Sequence, residues 1–597
     1  MISMDMSSGV TIEKEITTMS KLSIDQKTIQ VLFSDKKADF LIPDYQRPYA
    51  WNEDECRTLW EDLFAFIFPD NDKDKFNDDE YFLGPIVTFK NNDQSEIIDG
   101  QQRLTTLMLL LRAFYDKFEN MKDEQSITTR NNIAQCIWKT DEFDRPNKSK
   151  LKIDSEVATD DDKEEFLSIL KSGKTNPSQK SRYAKNFRYF QGKIDEFLNE
   201  YPGYFPYMPN RIMKNCILLP IEAESQDTAL RIFSTLNDRG LPLSDSDIFK
   251  AQFYKMYSSI GEKDEFIMQW RELETVCSEI FETKSGSPMD ELFTRYMYYE
   301  RALMGNKNTT TEALRKFYEK DNYELLKSGK VFSNLIELAY FWNDIENQDT
   351  DKFSDEVLRK LFVLYYAPNG MWTYFTSVYF MQNKDDKCLL NQDDFNDFLG
   401  KTISFIWTYA ITNPGVNALR GPIYNEMINI VEGKSITFEN FKFDRNEVKS
   451  SFNNYKFNNQ RPITKSMLAW WAFVNPKQKL LEIETRFDIE HIFPRNRQNI
   501  GEENILVNIE NLESLGNKSL LEKKINIRAS DYRFKDKIKY YKGYVNNRDQ
   551  KKEGTNIEEL LNFANTLDDF VEENIESRKE MIINKFIDYL EAYKLLK

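Results

Sequence analysis

The segment Asp488-Ile-Glu-His-Ile-Phe-Pro494 carries the only histidine of the chain, His491, with Glu490 directly before it and Asp488 two residues before Glu490. A carboxylate can bind a hard divalent ion, and an imidazole can take a proton from water near neutral pH. Acid beside imidazole is therefore a pairing that hydrolysis uses. A lone histidine is more often structural, and it is the neighbouring acids that turn the reading towards chemistry. One histidine also excludes a three-histidine zinc site and a two-histidine relay within one chain. A second cluster is Ile97-Ile-Asp-Gly-Gln-Gln-Arg-Leu-Thr-Thr106. It reads as a strand, a tight Asp-Gly turn and a helix start. There the backbone N–H groups and the Arg103 fork can meet an anion, and Asp99 can hold a metal or a ribose. Taken alone, a capped turn with Arg103 in a salt bridge explains it equally well. A third, Pro43-Asp-Tyr-Gln-Arg-Pro-Tyr-Ala-Trp51, is rich in aromatics and turn residues. Tyr45, Tyr49 and Trp51 suit either stacking on a base or sealing a core. Trp51, just before a helix start, suits the core.

The elements that must position these residues follow from local pattern. Alternation of Ile489, His491 and Phe493 against Asp488, Glu490 and Ile492 predicts a short strand leading into Pro494. Ile42 to Tyr45 is a short extended piece, because Pro43 biases its predecessor away from helix. A helix is expected from Asn52 to Phe68, with Asn52 as N-cap and Glu55 three residues on, and with Leu59, Leu63, Phe66 and Ile67 on one face. Tyr81–Phe89 and Glu96–Ile98 read as strands, and Leu104–Phe118 as a buried helix. From about 160 to 470 the pattern is mostly helical, punctuated by polar loops at 306–311 and 347–351. A charged loop spans 71–79.

Composition bounds the class. The 597 residues imply several domains, and 14% aromatics imply large cores. The net charge of −17 argues against a whole-surface grip on nucleic acid, yet residues 518–552 hold twelve Lys/Arg against four Asp/Glu, a local +8. Taken alone, that run is as readily a solvated helix face. The five cysteines include no C-x-x-C pair, which fits a reducing, cytoplasmic setting. The longest apolar run, Met467 to Val474, is far short of the roughly 20 residues a spanning helix needs. The N-terminus has no apolar core of a signal peptide.

Two sets of residues resemble one family. After Glu490-His-Ile-Phe-Pro494 come Leu515-Gly-Asn-Lys-Ser-Leu-Leu521, then Asn526, then Phe534, Lys535, Lys537 and Tyr541. This resembles the HNH (His-Me finger) nucleases, a β-hairpin and a helix around one metal ion. More closely it resembles the C-terminal domain of GmrSD-type, modification-dependent (type IV) restriction endonucleases. Tyr-Gln-Arg-Pro-Tyr-x-Trp, Phe82-Leu-Gly-Pro-Ile-Val87 and Ile98-Asp-Gly-Gln-Gln-Arg-Leu-Thr-Thr106 resemble the ParB/sulfiredoxin-like N-terminal domain of the same group. Arg231 to Ser244, with Asp247, resembles a later motif of that domain.

The resemblance implies that His491 is the general base, that Asn517 braces the loop orienting it, and that Asn526 is a metal ligand. Glu490 is the expected acidic ligand and Asp488 a second candidate, the two not separated. Asn511 also precedes a leucine, but the residues around Asn517 match better. An all-oxygen donor set suits Mg²⁺ or Mn²⁺ rather than Zn²⁺. Gln46, Arg47, Asp99, Gln101, Gln102 and Arg103 would line a nucleoside triphosphate pocket, with Asn237, Arg239 and Gly240 as further candidates. No Walker A sequence is present. Lys518, Lys523, Lys524, Arg528 and Lys535 would contact the DNA backbone without reading bases.

The expected architecture is α+β and mostly helical. A tail (1–20) precedes a ParB/sulfiredoxin-like NTP-binding and DNA-sensing domain (21–260), a helical linking region (261–450) and an HNH nuclease domain (451–597). The expected function is NTP-regulated, metal-dependent cleavage of foreign, modified DNA in anti-phage defence, by a cytoplasmic protein with no membrane partner. Dimerisation on DNA is expected, since one HNH site cuts one strand. A nucleotide- or DNA-binding regulator with an inactive nuclease domain and an RNA-directed nuclease are the alternatives.

Overall fold

Asn52 ends an extended stretch and accepts a hydrogen bond from the Asp54 N–H, while the Glu55 carboxylate reaches back to the Asn52 N–H at 2.7 Å. This reciprocal cap starts the helix Glu53–Ile67, which buries Cys56, Leu59, Trp60, Leu63 and Ile67. The computed structural model describes residues 23–69, 79–91, 94–157, 160–226, 228–229, 232, 244–282, 287–495 and 505–597. The chain divides into two compact units, residues 1–271 and 272–597.

The first unit is built on a seven-stranded mixed sheet. Its centre is the strand Tyr81–Asn91, paired in parallel with Cys216–Ala223 and antiparallel with Gln94–Asp99. Phe40–Ile42 continues the sheet in parallel, followed by Ile153–Ser155. The Asp99-Gly100 turn feeds the helix Gln101–Phe118, whose Leu104, Leu107, Met108, Leu110, Leu111 and Phe114 are fully buried in the main core of the unit. The expected strands and helices over 52–118 are present. Cys216–Ala223 departs from the expectation of helix across 160–470. The run Cys-Ile-Leu-Leu-Pro-Ile is apolar on both faces because both faces are covered, so it lacks the alternation that marks a half-exposed strand.

The second unit is mostly helical. Pro288–Leu303, Gly329–Glu346, Asp355–Leu364, Met371–Asn383, Gln392–Thr412 and Val416–Val431 form its first part. Gln392–Thr412 starts with polar, largely exposed turns, but from Phe398 to Thr408 it is buried nearly all round, with Ile403, Phe405, Ile406 and Trp407 inside, as befits a helix that enters a core. The helices Arg445–Asn454 and Pro462–Val474 lead to the hairpin of Phe487–His491 and Lys518–Glu522, then to Lys523–Ala529, Phe534–Lys542, Glu558–Thr566 and Glu572–Ala592. The apolar run Met467–Val474 is thus the buried helix of a core. No helix among the described residues is long and apolar enough to cross a membrane.

Candidate functional site

His491 is the last residue of its strand, and its register partner is Lys518. Antiparallel pairing therefore places the residue just before Lys518, Asn517, beside the chain as it leaves the strand. Asn517 is fully buried and spends its whole amide there. Its Oδ1 accepts from the Phe493 N–H (2.7 Å), and its Nδ2 donates to the carbonyls of Phe493 (3.0 Å) and Leu512 (3.1 Å). Its own carbonyl accepts from the Ile492 N–H at 2.9 Å. The two residues after the histidine are thus fixed by one asparagine. Asn511 is placed elsewhere, donating to Glu572 and Glu576.

The His491 ring is only 9% exposed, and its Nε2 has no hydrogen-bond partner. The nearest acid is Glu513, whose Oε1 lies 3.7 Å away. That carboxylate also meets Lys518 Nζ (2.6 Å) and Arg495 (3.0 Å). Burial, then the Lys518 charge, pushes the imidazole down to about 4, with Glu513 only partly opposing. At neutral pH the ring is uncharged and can accept a proton.

Glu490 faces the helix Phe534–Lys542. It is 3% exposed, and its Oε1 accepts from Lys537 Nζ and from Tyr541 OH, each at 2.6 Å. Lys537 also donates to the His491 carbonyl at 2.6 Å. Burial holds the Glu490 carboxyl above the usual carboxylate range, with Lys537 and Tyr541 only partly opposing. Asp488 is half-buried on the same strand, in the electrostatic field of Lys465. Asn526 is half-buried on the helix Lys523–Ala529.

For a metal, these donors are right in type: carboxylate and amide oxygens suit a hard divalent ion. They are few. Among the described residues no group of three or more His, Cys, Asp or Glu side chains gathers to hold an ion. Among the described residues the hydrogen bonds to Glu490 fall on Oε1, so Oε2 is the oxygen that could meet an ion, while the Lys537 ammonium offsets the charge that would draw a cation.

Of the expected phosphate contacts, Lys523, Lys524 and Lys535 are exposed, and Arg528 is half-buried with its guanidinium on the Lys524 and Glu553 carbonyls. Lys518 is different. Its side chain is fully buried, and its ammonium is taken by Glu513 and by the Phe457 carbonyl at 2.5 Å. A lysine so enclosed meets no phosphate; it acts inside the site, on Glu513.

Sequence reasoning assigned no role to Glu513, Arg495 or Arg578. Arg578 donates to the carbonyls of Leu515, Gly516 and Lys518 and pairs with Glu559, so it holds the turn that carries Asn517. These partners lie far apart in sequence and leave no local pattern. The Lys537 and Tyr541 contacts do have a signal, since both residues are among those that carry the family resemblance after Asn526.

In the first unit, Asp99 and Arg103 flank the strand-to-helix turn. Burial raises the Asp99 carboxyl, opposed by the Gly100 N–H and by the charges of Arg103 and Arg47. Arg103 lies across Gly84, where a Cβ would sit 3.0 Å from its Cζ, and donates to the Pro85 carbonyl at 2.9 Å. The three glutamines turn inward. Gln46 donates to the Ile97 and Ile98 carbonyls, Gln101 to that of Arg47 and Gln102 to that of Pro48, while Gln102 Oε1 accepts from the Ala50 N–H. They clamp the loop 45–51 onto the turn. Tyr45 and Tyr49 are buried, Tyr49 bonding Thr106 at 2.7 Å and stacking on Tyr183; Trp51 is half-buried against the core. Asn237, Arg239 and Gly240 lie outside the described residues.

Compared with known proteins, residues 29–254 match the family described as GmrSD restriction endonuclease, N-terminal domain, and residues 439–585 match GmrSD restriction endonucleases, C-terminal domain. No curated protein gives a significant match. The two matches fall one in each compact unit and take in the Asp99–Arg103 turn and the His491 site respectively, and the chain belongs to the GmrSD-type restriction endonuclease family.

Proposed function

We propose that the C-terminal unit is a His-Me finger nuclease that hydrolyses DNA phosphodiesters with His491 as general base. The observation that carries this reading is the buried, uncharged His491 with an unpartnered Nε2, followed by a segment that Asn517 pins. Nε2 accepts a proton from the attacking water as it adds to phosphorus, and the Asn517 clamp keeps the ring aimed. Glu490 Oε2 and Asn526, with Asp488 as the alternative acid, would hold Mg²⁺ or Mn²⁺. When bound, such an ion supplies charge stabilisation to the phosphate and the leaving oxygen. The antiparallel hairpin followed at once by the helix Lys523–Ala529 supports this ββα reading.

In the first unit we assign Asp99, Arg103 and Arg47 to a nucleoside triphosphate site of a ParB/sulfiredoxin-like domain that regulates cutting of modified DNA in the cytoplasm. The glutamines are its scaffold. Turnover of NTP should be lost in Asp99→Ala/Arg103→Ala; unchanged turnover removes the assignment. Plasmid and phage DNA, modified and unmodified, incubated with Mg²⁺ or Mn²⁺ and with or without NTP, test the nuclease. Wild type should cut and His491→Ala should not; cutting that survives His491→Ala refutes the base. One observation favours the alternative of a regulator with an inactive nuclease domain: Lys537 already neutralises Glu490. No cutting by wild type under any of these conditions would support it.

A further inference from the structure

The helical part of the second unit holds a cavity of about 240 Å³ that the nuclease chemistry does not use. It opens between the C-terminal end of Gln392–Thr412, the start of Val416–Val431 and the segment 455–463 that enters Pro462–Val474. Its walls include Ile406, Tyr409 and Tyr455, and its polar groups are Asn369, Asn413 and Arg461. Drug-sized sites run to roughly 300–1,000 Å³. This one suits a single heterocycle with a polar edge.

The chemistry of the lining narrows the occupant. The faces of Tyr409 and Tyr455 not taken by Phe405 and Arg461, with the aliphatic side chains, take a flat ring. Asn369 Oδ1 accepts from the Met371 N–H and Asn413 Nδ2 donates to Thr412 Oγ1, so the Asn369 amino group is the donor and the Asn413 carbonyl the acceptor offered to the edge of a base. Arg461 is held in place at the rim: it lies 5.1 Å from the Tyr455 ring centroid and donates to Tyr455 OH at 3.0 Å. Its remaining N–H groups meet no acceptor among the described residues and can turn to a phosphate or sugar oxygen. An aliphatic ligand would use neither the Asn369 amino group, the Asn413 carbonyl nor the outer edge of the guanidinium, and a bare phosphate would waste the aromatic walls.

We infer that this cavity is a nucleobase site, taking one base either extruded from DNA or from a free nucleotide. The DNA source rests on the nuclease reading above. Tyr455 is two residues from Phe457, whose carbonyl accepts from Lys518 Nζ; Lys518 in turn bonds Glu513, the acid nearest His491. The occupied cavity and the catalytic loop thus share one short segment.

Photo-crosslinking tests the site on the full-length chain. The probe is 5-iodouracil, presented in a duplex, in a single-stranded oligonucleotide, and as the free deoxynucleoside and its triphosphate. Adducts on Tyr409 or Tyr455 are expected, mapped by mass spectrometry. The variant Ala410→Phe fills the cavity from a half-buried helix position. It should cut the adduct yield about tenfold, the loss expected for one stacked base. Asn413→Ala, on an exposed residue, should lower the yield with no change in thermal melting, which covers the case that Ala410→Phe misfolds. Adducts from the oligonucleotides alone identify an extruded base, and adducts from the free forms alone identify a nucleotide ligand. Adducts on neither tyrosine, or adducts that both variants leave intact, overturn the inference. Plasmid cutting is read in parallel. If wild type cuts but no adduct forms, the cavity assignment falls alone. If cutting survives His491→Ala, the nuclease reading falls, and the free-nucleotide arm still decides the cavity.

Discussion

An imidazole taken out of water and set beside ammonium and guanidinium groups loses its charged form first. That is the situation of His491, held at about 4 against an ordinary value of 6.5. Two outcomes follow. The acid limb of kcat/KM should lie near 4, well below that of an exposed histidine, because the base stays competent until then. Stability has a definite sign as well. Between the folded and unfolded values the unfolded chain binds more protons, so stability falls as the pH drops from 6.5 towards 4, by about 3 kcal/mol in total. Denaturant unfolding at about pH 7 and about pH 4.5 checks this: His491→Gln, which cannot titrate, should lose less on acidification than wild type. Equal losses would show that other groups carry the acid sensitivity. Asn517 gives a second test at this scale. Asn517→Ala strands the Phe493 N–H and two buried carbonyls, and should cost about 2–4 kcal/mol in thermal unfolding together with most of the cutting. Asn517→Asp keeps the acceptor but sets a buried carboxyl oxygen against the Phe493 and Leu512 carbonyls, and should cost at least as much as Asn517→Ala.

At the scale of elements, the site depends on two helices that grip the hairpin from outside. Phe534–Lys542 does so through Lys537 and Tyr541 on Glu490. Lys537→Met would leave a buried carboxylate unpaired, a loss of about 3–5 kcal/mol, whereas Lys537→Met with Glu490→Gln should recover much of it. A double-mutant cycle on unfolding free energy reads the difference, and additive losses would dissolve the pair. Glu572–Ala592 grips through a close approach: a Cβ on Gly516 would fall 1.9 Å from the Ile575 carbonyl, and Arg578 holds the same turn. Gly516→Ala should therefore push the turn and Asn517 off the helix, losing stability and cutting together in melting and plasmid assays. Little of this was legible in the sequence. The Asn52 cap and the helix after Gly100 are local patterns that the sequence shows; the strand through Asp488 is present too, but it ends at His491 rather than running on to Pro494, where Asn517 takes the backbone of the next two residues. Cys216–Ala223 was missed because a strand covered on both faces has no period of two. The lysines were harder still. Lys518 and Lys524 look alike in sequence, and only the distant Glu513 and Phe457 make the first a buried part of the site and leave the second in solvent.

For the whole molecule, charge is the quantity that scales. A net −17 repels a polyanion, so attraction to DNA must come from where the basic residues collect. The +8 stretch over 518–552 overstates what is available, because the buried Lys518 and Lys537 are spent on Glu513 and Glu490. Of the basic residues that remain, Lys523, Lys524 and Lys535 are the exposed ones expected at phosphates, with Lys539, Lys542, Arg548 and Lys551 exposed further along the stretch. If these three meet phosphates, each contributes about 0.9 to the slope of log affinity against log salt concentration. Lys523→Ala/Lys524→Ala/Lys535→Ala should then flatten that slope by about 2.7 and weaken binding alike for all sequences and modifications. Anisotropy titrations of a labelled duplex across a salt series measure it. A slope that does not change would move the DNA path away from the helices Lys523–Ala529 and Phe534–Lys542, even if His491→Ala had already abolished cutting. A triple variant that loses discrimination between modified and unmodified DNA, rather than general affinity, would make these lysines readers of the target.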